Sequence, residues 1–328
     1  MEKPKVYVTR KLMDQVMEYL NQHCTVKVWD GEETAPRAVV EKEIREVEGL
    51  LTVLSVRVDE QLLDLNPGLK IVSNMAVGFD NINVSAATAR GVMVGNTPGV
   101  LTETTADVAW ALMMAAARRV VEGDKLTRSG GWEAWSPLFM CGQDVYGTTL
   151  GIVGLGRIGM AMARRAKGFG MKVLYTKRNR DLEAEKELGL EYVSMEQLLK
   201  DADYVSIHCP LTPETTHLFG EREFNKMKPT AILVNTSRGP VIDEAALFKA
   251  LKERKIWAAG LDVFEKEPVD PNHPLLTLDN LVVTPHIGSA TISTRTKMAM
   301  RAAENLVQGV TGHVPKYLVN PEYEYNLK

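Results

Sequence analysis

The chain has 328 residues, more than one hydrophobic core usually holds, so two domains are expected. Its 39 Lys and Arg stand against 42 Asp and Glu, a formal net charge of -3 with both signs interspersed, which lacks the basic stripe of a nucleic-acid binder. No apolar run approaches the roughly 20 residues of a membrane span, and Cys24, Cys141 and Cys209 lie too far apart, with no His at ligand spacing, for a disulfide framework or a structural metal.

What remains is a protein of the reducing cytoplasm whose partners are small molecules or further copies of itself. The chain opens on a strand-like segment at 5–9 with no signal-peptide pattern. Short apolar runs alternate with amphipathic helical stretches from end to end, the pattern of βαβ units around mainly parallel sheets. The expected class is α/β, with two doubly wound domains. Strand candidates in the first are 5–9, 25–29, 49–54, 70–74 and 92–95, separated by helices such as 11–22 and 36–47; Pro36 opens the latter, where a missing N–H costs little. The 3.6-residue period then runs through 102–128 as one long helix, read as a connector. It gives way to a Gly-, Trp- and Pro-rich stretch, 130–147, too irregular for helix or strand. A second series has strands expected at 150–153, 172–175, 203–208, 231–235, 258–263 and 281–284, a six-strand Rossmann pattern. Ser194-Met195-Glu196-Gln197 has the form of a capping box, and the charged run 181–187 reads as a solvated helix face. A last helix at about 294–308 precedes a polar tail with Pro315 and Pro321. One domain is therefore placed in 1–100, completed by 288–328, and the other in 101–287.

Gly154-Leu155-Gly156-Arg157-Ile158-Gly159 follows the strand at 150–153 and opens a helical pattern to Lys167, the context a dinucleotide fingerprint demands. The first glycine permits a tight turn, the second lets backbone approach a pyrophosphate, and the third lets helix and strand pack closely, with phosphates at the positive helix end. Without a ligand the run would be an ordinary glycine-rich turn; the strand before it and the helix after it favour the dinucleotide. An acidic residue about 20 positions on, which would hold the ribose 2′-OH of NAD, is absent. Instead the second strand ends Tyr175-Thr176-Lys177-Arg178-Asn179-Arg180, with three cations and a hydroxyl before the first carboxylate at Asp181. That composition suits NADP(H), with Lys177 and Arg178 on the 2′-phosphate and Asn179 beside them. As plain solvated loop residues they would leave NAD(H) open.

Arg238, Glu267 and His286 fall just beyond the carboxyl ends of successive strands, where open α/β sheets bind ligands. The planar fork of Arg238 suits gripping a carboxylate and polarising a neighbouring carbonyl oxygen. By placement His286 is the proton donor among six histidines. An imidazole suits giving a proton to a forming alkoxide as hydride arrives, and Glu267 would orient it. Each residue has a plainer reading, as a surface ion pair, an exposed loop carboxylate or a packed histidine beside proline. Three of them at successive strand ends in one Rossmann half favour chemistry over coincidence.

These residues resemble the D-isomer-specific 2-hydroxyacid dehydrogenases, over nearly the whole chain from about Lys5 to Asn320. The resemblance rests on 74–83 (NMAVGFDNIN), 151–159, 235–239 (NTSRG), 260–268 (GLDVFEKEP) and 284–291 (TPHIGSAT). It implies a flavodoxin-like substrate domain beside a Rossmann domain, with Arg238, Glu267 and His286 as the catalytic trio. Asp262 would anchor the nicotinamide carboxamide, with further cofactor contacts from Thr236, Ser237 and Gly288. Backbone amides of Ala76, Val77 and Gly78 would hold the substrate carboxylate. Leu54-Ser55, 132–137 (WEAWSP) and 273–276 (HPLL) look most like the glyoxylate/hydroxypyruvate reductases, whose NADP-preferring members also lack the ribose carboxylate. That likeness implies a substrate pocket including Leu54, Ser55 and Arg295, closed by Trp135 from the partner subunit of a homodimer. Where Glu267 stands, the related formate dehydrogenases carry Gln, and the appended regulatory domain of many phosphoglycerate dehydrogenases is missing, so both relatives lose ground.

The expectation is an NADPH-dependent reductase of glyoxylate and hydroxypyruvate, or a broader 2-oxo acid reductase that takes 2-ketogluconate. It needs no metal, nucleic acid or membrane. The competing reading is a dinucleotide-sensing binding module like the C-terminal-binding-protein corepressors, which resemble this family and retain the trio. The reductase-like stretch 132–137 and the lack of disordered recognition arms weigh against it.

Overall fold

Leu50 and Leu51, and Ile71 and Val72, put apolar side chains on both faces of their strands, so these strands belong in a sheet covered on both sides. In the computed structural model, which describes residues 2–326, the chain divides into two units. One is built from the residues up to Leu101 together with those from Ala290 onward, the other from Thr102–Ser289.

The first unit holds β1 (Lys5–Val8), β2 (Thr25–Val28), β3 (Gly49–Thr52), β4 (Ile71–Asn74) and β5 (Met93–Gly95), all parallel in the order β2-β1-β3-β4-β5. Successive side chains leave opposite faces: Val6 and Val8 join one core layer and Tyr7 the other. The helix Ile292–Val310 covers the first of these faces with Ala299, Ala302, Ala303 and Leu306. After it the chain runs back along β5. Leu318 bridges Gly95, the Val319 N–H donates to the Val94 carbonyl (2.7 Å), and Asn320 accepts from the Val94 N–H (2.7 Å). The tail thereby caps a sheet edge that would otherwise expose unpaired backbone.

The second unit holds β6 (Thr149–Val153), β7 (Lys172–Thr176), β8 (Glu191–Tyr192), β9 (Tyr204–Ile207), β10 (Ile232–Asn235), β11 (Ala258–Leu261) and β12 (Leu281–Val283). All pairs are parallel, in the order β12-β11-β10-β9-β6-β7-β8. The sheet has one strand beyond the six read from sequence, since β8 is two exposed residues with no apolar run to announce it. Strand order reverses between β6 and β9, which sets a crevice beyond their carboxyl ends.

Two local readings are corrected. The stretch 102–128 is two helices, Thr102–Ala117 and Val120–Arg128, with Arg119 between them in the left-handed region at φ 53°. The returning irregular stretch docks at that break. The Gln143 N–H donates to the Ala117 carbonyl (2.9 Å), and a Cβ on Gly142 would stand 2.1 Å from the same oxygen. At Ser194 only half the capping box forms: the hydroxyl accepts from the Gln197 N–H (3.2 Å), while the Gln197 side chain reaches forward to Asp201. No described helix is long and apolar enough to cross a membrane.

Candidate active site

The glycine turn is shaped by what surrounds it. Gly154 lies at φ 93°, and a Cβ there would meet the Cys209 backbone nitrogen at 2.5 Å, so the turn after β6 passes tightly over the chain leaving β9. A Cβ on Gly159 would stand 2.6 Å from the Gly154 carbonyl oxygen, which brings helix and strand together. Around the Cβ position of Gly156 there is open space for 4 Å. The helix Arg157–Gly168 begins there without a side-chain cap, with Arg157 exposed at its first position. Open space, uncapped N–H groups and the positive end of a helix together fit a dinucleotide pyrophosphate. Further along the same crevice, the hydroxyl of buried Thr236 has no partner among the described residues, and Ser237 donates to the Cys209 carbonyl.

The loop after β7 differs from a run of solvated cations. The buried Tyr175 hydroxyl accepts from the Asp181 N–H (2.8 Å) and donates to Glu185 (2.7 Å). Arg180 closes on both oxygens of Glu185 (2.7 Å each), and its hydrogen bonds, ahead of the one from Tyr175, push the Glu185 carboxyl down to about 2. Asp181 caps the helix Leu182–Leu188 through the Ala184 N–H (3.1 Å) and takes Lys177 on its other oxygen (3.1 Å). Most of the run 181–187 is the solvated helix face read from sequence, with Glu183, Lys186 and Glu187 exposed, while Asp181 and Glu185 fasten the loop. Of the three cations, Arg178 alone has no hydrogen bond or ion pair among the described residues, and it is exposed beside Asn179.

At the carboxyl ends of β10, β11 and β12 the structure gathers Arg238, Glu267 and His286. Asn235 pins the loop that carries Arg238, its amide donating to the Arg238 carbonyl (2.9 Å) and its oxygen accepting from the Ser237 N–H (2.9 Å). His286 Nδ1 lies 2.7 Å from Glu267 Oε2, and Glu267 Oε1 accepts from the Phe264 N–H (3.0 Å). With Nδ1–H committed to a carboxylate, Nε2 is the nitrogen left for proton exchange. Burial works to raise the Glu267 carboxyl. The hydrogen bond and charge of His286, the Phe264 N–H and the charge of Arg238 outweigh it, and the group sits below its ordinary range. Burial pushes His208, just beyond β9, down to about 4, so it stays neutral and is no rival proton donor.

Two features here escape sequence reasoning. His286 stands in the left-handed region at φ 54°, an arrangement that costs about 1–3 kcal/mol and persists only where surroundings enforce it. The enforcement comes from Asp262. Its buried carboxylate accepts from the Thr284 hydroxyl (2.5 Å) and from the N–H groups of Ile287 and Gly288 (2.8 Å each), so it already serves the His286 loop. Gly239 is the second feature: a Cβ there would fall 1.8 Å from the Phe264 carbonyl carbon, so the Arg238 and Glu267 loops touch backbone to backbone.

In the first unit, the loop after β4 turns its carbonyls inward. Buried Asn74 donates to the Gly78 carbonyl (2.9 Å), and Asn96 donates to that of Val77 (2.8 Å). The Ala76 N–H is spent on the Asn74 carbonyl (2.8 Å), so of the three amides read as a carboxylate cradle only those of Val77 and Gly78 are left without a partner among the described residues. Leu54 is half-buried and Ser55 exposed in the same unit, where Arg295 is exposed in the first turn of the helix Ile292–Val310. In the second unit Trp132 and Trp135 do not pack into their own core; Trp135 is 76% exposed and Leu138 87%.

Residues 110–288 match the family model described as D-isomer specific 2-hydroxyacid dehydrogenase, NAD binding domain. Over 321 residues the chain is 52% identical to a glyoxylate reductase of Korarchaeum cryptofilum, covering 98% of this chain and 97% of that one. Among solved structures, the TT0316 protein of Thermus thermophilus is similar with a TM-score of 0.90 at 44% identity, over 96% of this chain and 99% of its own. An NADPH-dependent glyoxylate/hydroxypyruvate reductase of Sinorhizobium meliloti, solved with NADP and malonate, is similar with a TM-score of 0.86 at 33% identity, over 98% of each chain.

Proposed function

The chain belongs to the D-isomer specific 2-hydroxyacid dehydrogenases and is an NAD(P)-dependent oxidoreductase; from that premise we propose that it reduces glyoxylate and hydroxypyruvate with NADPH. The observation that carries the reading is the 2.7 Å contact of His286 with Glu267 beside Arg238, in the unit whose glycine turn suits a dinucleotide. When bound, the nicotinamide supplies a hydride to a carbonyl carbon. Arg238 polarises the carbonyl oxygen, and His286 gives the developing alkoxide a proton from Nε2. Glu267 keeps the imidazole turned by holding its Nδ1. The Val77 and Gly78 amides take the carboxylate of the 2-oxo acid, and Leu54, Ser55 and Arg295 border its short chain.

Relatives named glyoxylate reductases at 52% identity support the substrate. NADPH rather than NADH is supported by Arg178, held out beyond a fastened loop with no carboxylate at the ribose position. Unpaired Cys24, Cys141 and Cys209 agree with the reducing cytoplasm. The bare apolar segment at Trp135 and Leu138 supports a homodimer in which Trp135 closes the partner's pocket, and sedimentation checks that. The test of the reading is NADPH consumption with a panel of 2-oxo acids. Glyoxylate and hydroxypyruvate should be turned over fastest. Failure of every 2-oxo acid, with the dinucleotide still bound, would leave a sensing module.

A further inference from the structure

Behind the catalytic pair, a second Glu–His pair hangs from the same loop. The Phe264 N–H donates to Glu267, and the next amide along, that of Glu265, donates to Glu244 Oε1 at 2.8 Å. Glu244 is the first residue of the helix Glu244–Lys252, and its own N–H returns to Glu265 Oε1 at 3.1 Å. Helix start and loop are thus clamped reciprocally. The other oxygen of Glu244 lies 3.3 Å from His273 Nε2, while His273 Nδ1 accepts from the Leu275 N–H (3.4 Å), so Nε2 carries the proton that points at Glu244. His217 Nε2 reaches Glu265 from outside, at 3.1 Å. Gly239 also stands against the Phe264–Glu265 peptide, with no room for a side chain.

We propose that Glu244, oriented by His273, is a positioning residue that fixes the loop bearing Glu267 and so sets the aim of His286. This rests on the dehydrogenase reading for its kinetic consequence, though not for its geometry. The Glu244 side chain is only 12% exposed, and burial, ahead of the nearby charges of Glu265 and Glu267, raises its carboxyl above the ordinary range. Keeping a costly buried carboxylate there makes sense if both its oxygens are needed, one for the Glu265 N–H and one for His273. The peptide it grips is one residue from the amide that holds Glu267, so a slack Glu265 becomes a misdirected imidazole.

Glutamine at 244 offers one acceptor for two donors, and alanine offers none. The expected order of glyoxylate-reduction kcat is therefore wild type, then Glu244→Gln about threefold lower, then Glu244→Ala tenfold or more lower, with KM for NADPH unchanged in both. Site concentration is fixed by dinucleotide titration, so a loss of folded protein does not register as a loss of kcat. A second readout needs no substrate: the proton shared by His286 Nδ1 and Glu267, followed by NMR in the free enzyme, should be lost in Glu244→Ala and weakened in Glu244→Gln. If alanine does not fold, the glutamine variant alone decides. Wild-type kcat and an undisturbed proton signal in the folded variants would overturn the proposal. A wild-type enzyme that reduces no 2-oxo acid would sink the functional reading instead, and the proton signal would still judge Glu244.

Discussion

At the carboxyl end of the first sheet, position is set by neutral groups: Asn74 and Asn96 hold the Gly78 and Val77 carbonyls, and what they leave outward is backbone N–H. At the corresponding end of the second sheet, charged side chains gather instead, and backbone N–H groups do the holding, at Glu267 from Phe264 and at Asp262 from Ile287 and Gly288. Roles of donor and holder are exchanged between the units. Amides fixed by asparagine side chains grip an anion but move no proton. An imidazole aimed by a carboxylate that amides fix does move one, from His286 Nε2. The first region should therefore govern how well the 2-oxo acid is held, and the second how fast it reacts.

Replacing His286 by Gln should produce the largest effect, a fall on the order of 10²-fold to 10⁴-fold in kcat with dinucleotide affinity kept, because the proton donor goes while the fold around it stays. Asn74→Leu should break the other side of the comparison. It leaves the Gly78 carbonyl and the Asn81 amide network short of a partner, and KM for glyoxylate should rise about tenfold while kcat changes little. If Asn74→Leu instead cut kcat as deeply as His286→Gln, the division between holding and reacting would be wrong. Arg178→Ala removes one charge-assisted contact and should weaken NADPH use by about tenfold while sparing NADH; equal loss with both would show that the cation does not read the phosphate.

The smallest effect concerns acid. Glu267 sits below the ordinary carboxylate range, so its negative charge is present above that range and is lost only as pH falls through the lowered value. Acidification from about pH 7 to about pH 5 should therefore cost no rate through protonation of Glu267, a point that initial-rate measurements across that window decide.

Features of the site that act through local sequence were legible. The glycine turn, Arg238, Glu267 and His286 each stand just beyond a strand end, where position alone suggests a role, and the strands were short apolar runs between helical patterns. What escaped acts at a distance. The helix break at Arg119 answers to Gln143 and Gly142 returning from 24 residues away, so the 3.6-residue period runs through it unmarked. Lys177 and Arg180 look like solvated charge because their captors, Asp181 and Glu185, belong to a helix whose face reads as surface. Asn96 works through a carbonyl at Val77, and Glu244 through a peptide at Glu265, contacts between polar residues that no hydrophobic periodicity encodes.

The bare contact of Gly239 with the Phe264–Glu265 peptide has a consequence for anyone altering this enzyme. With backbone against backbone and no side chain to yield, neither loop is able to shift unless the other shifts with it. Arg238 and Glu267 are thus a single locus for redesign, and libraries that vary their loops one at a time would sample mostly misfits. Segments 235–239 and 260–268 should be exchanged between relatives together, as one cassette.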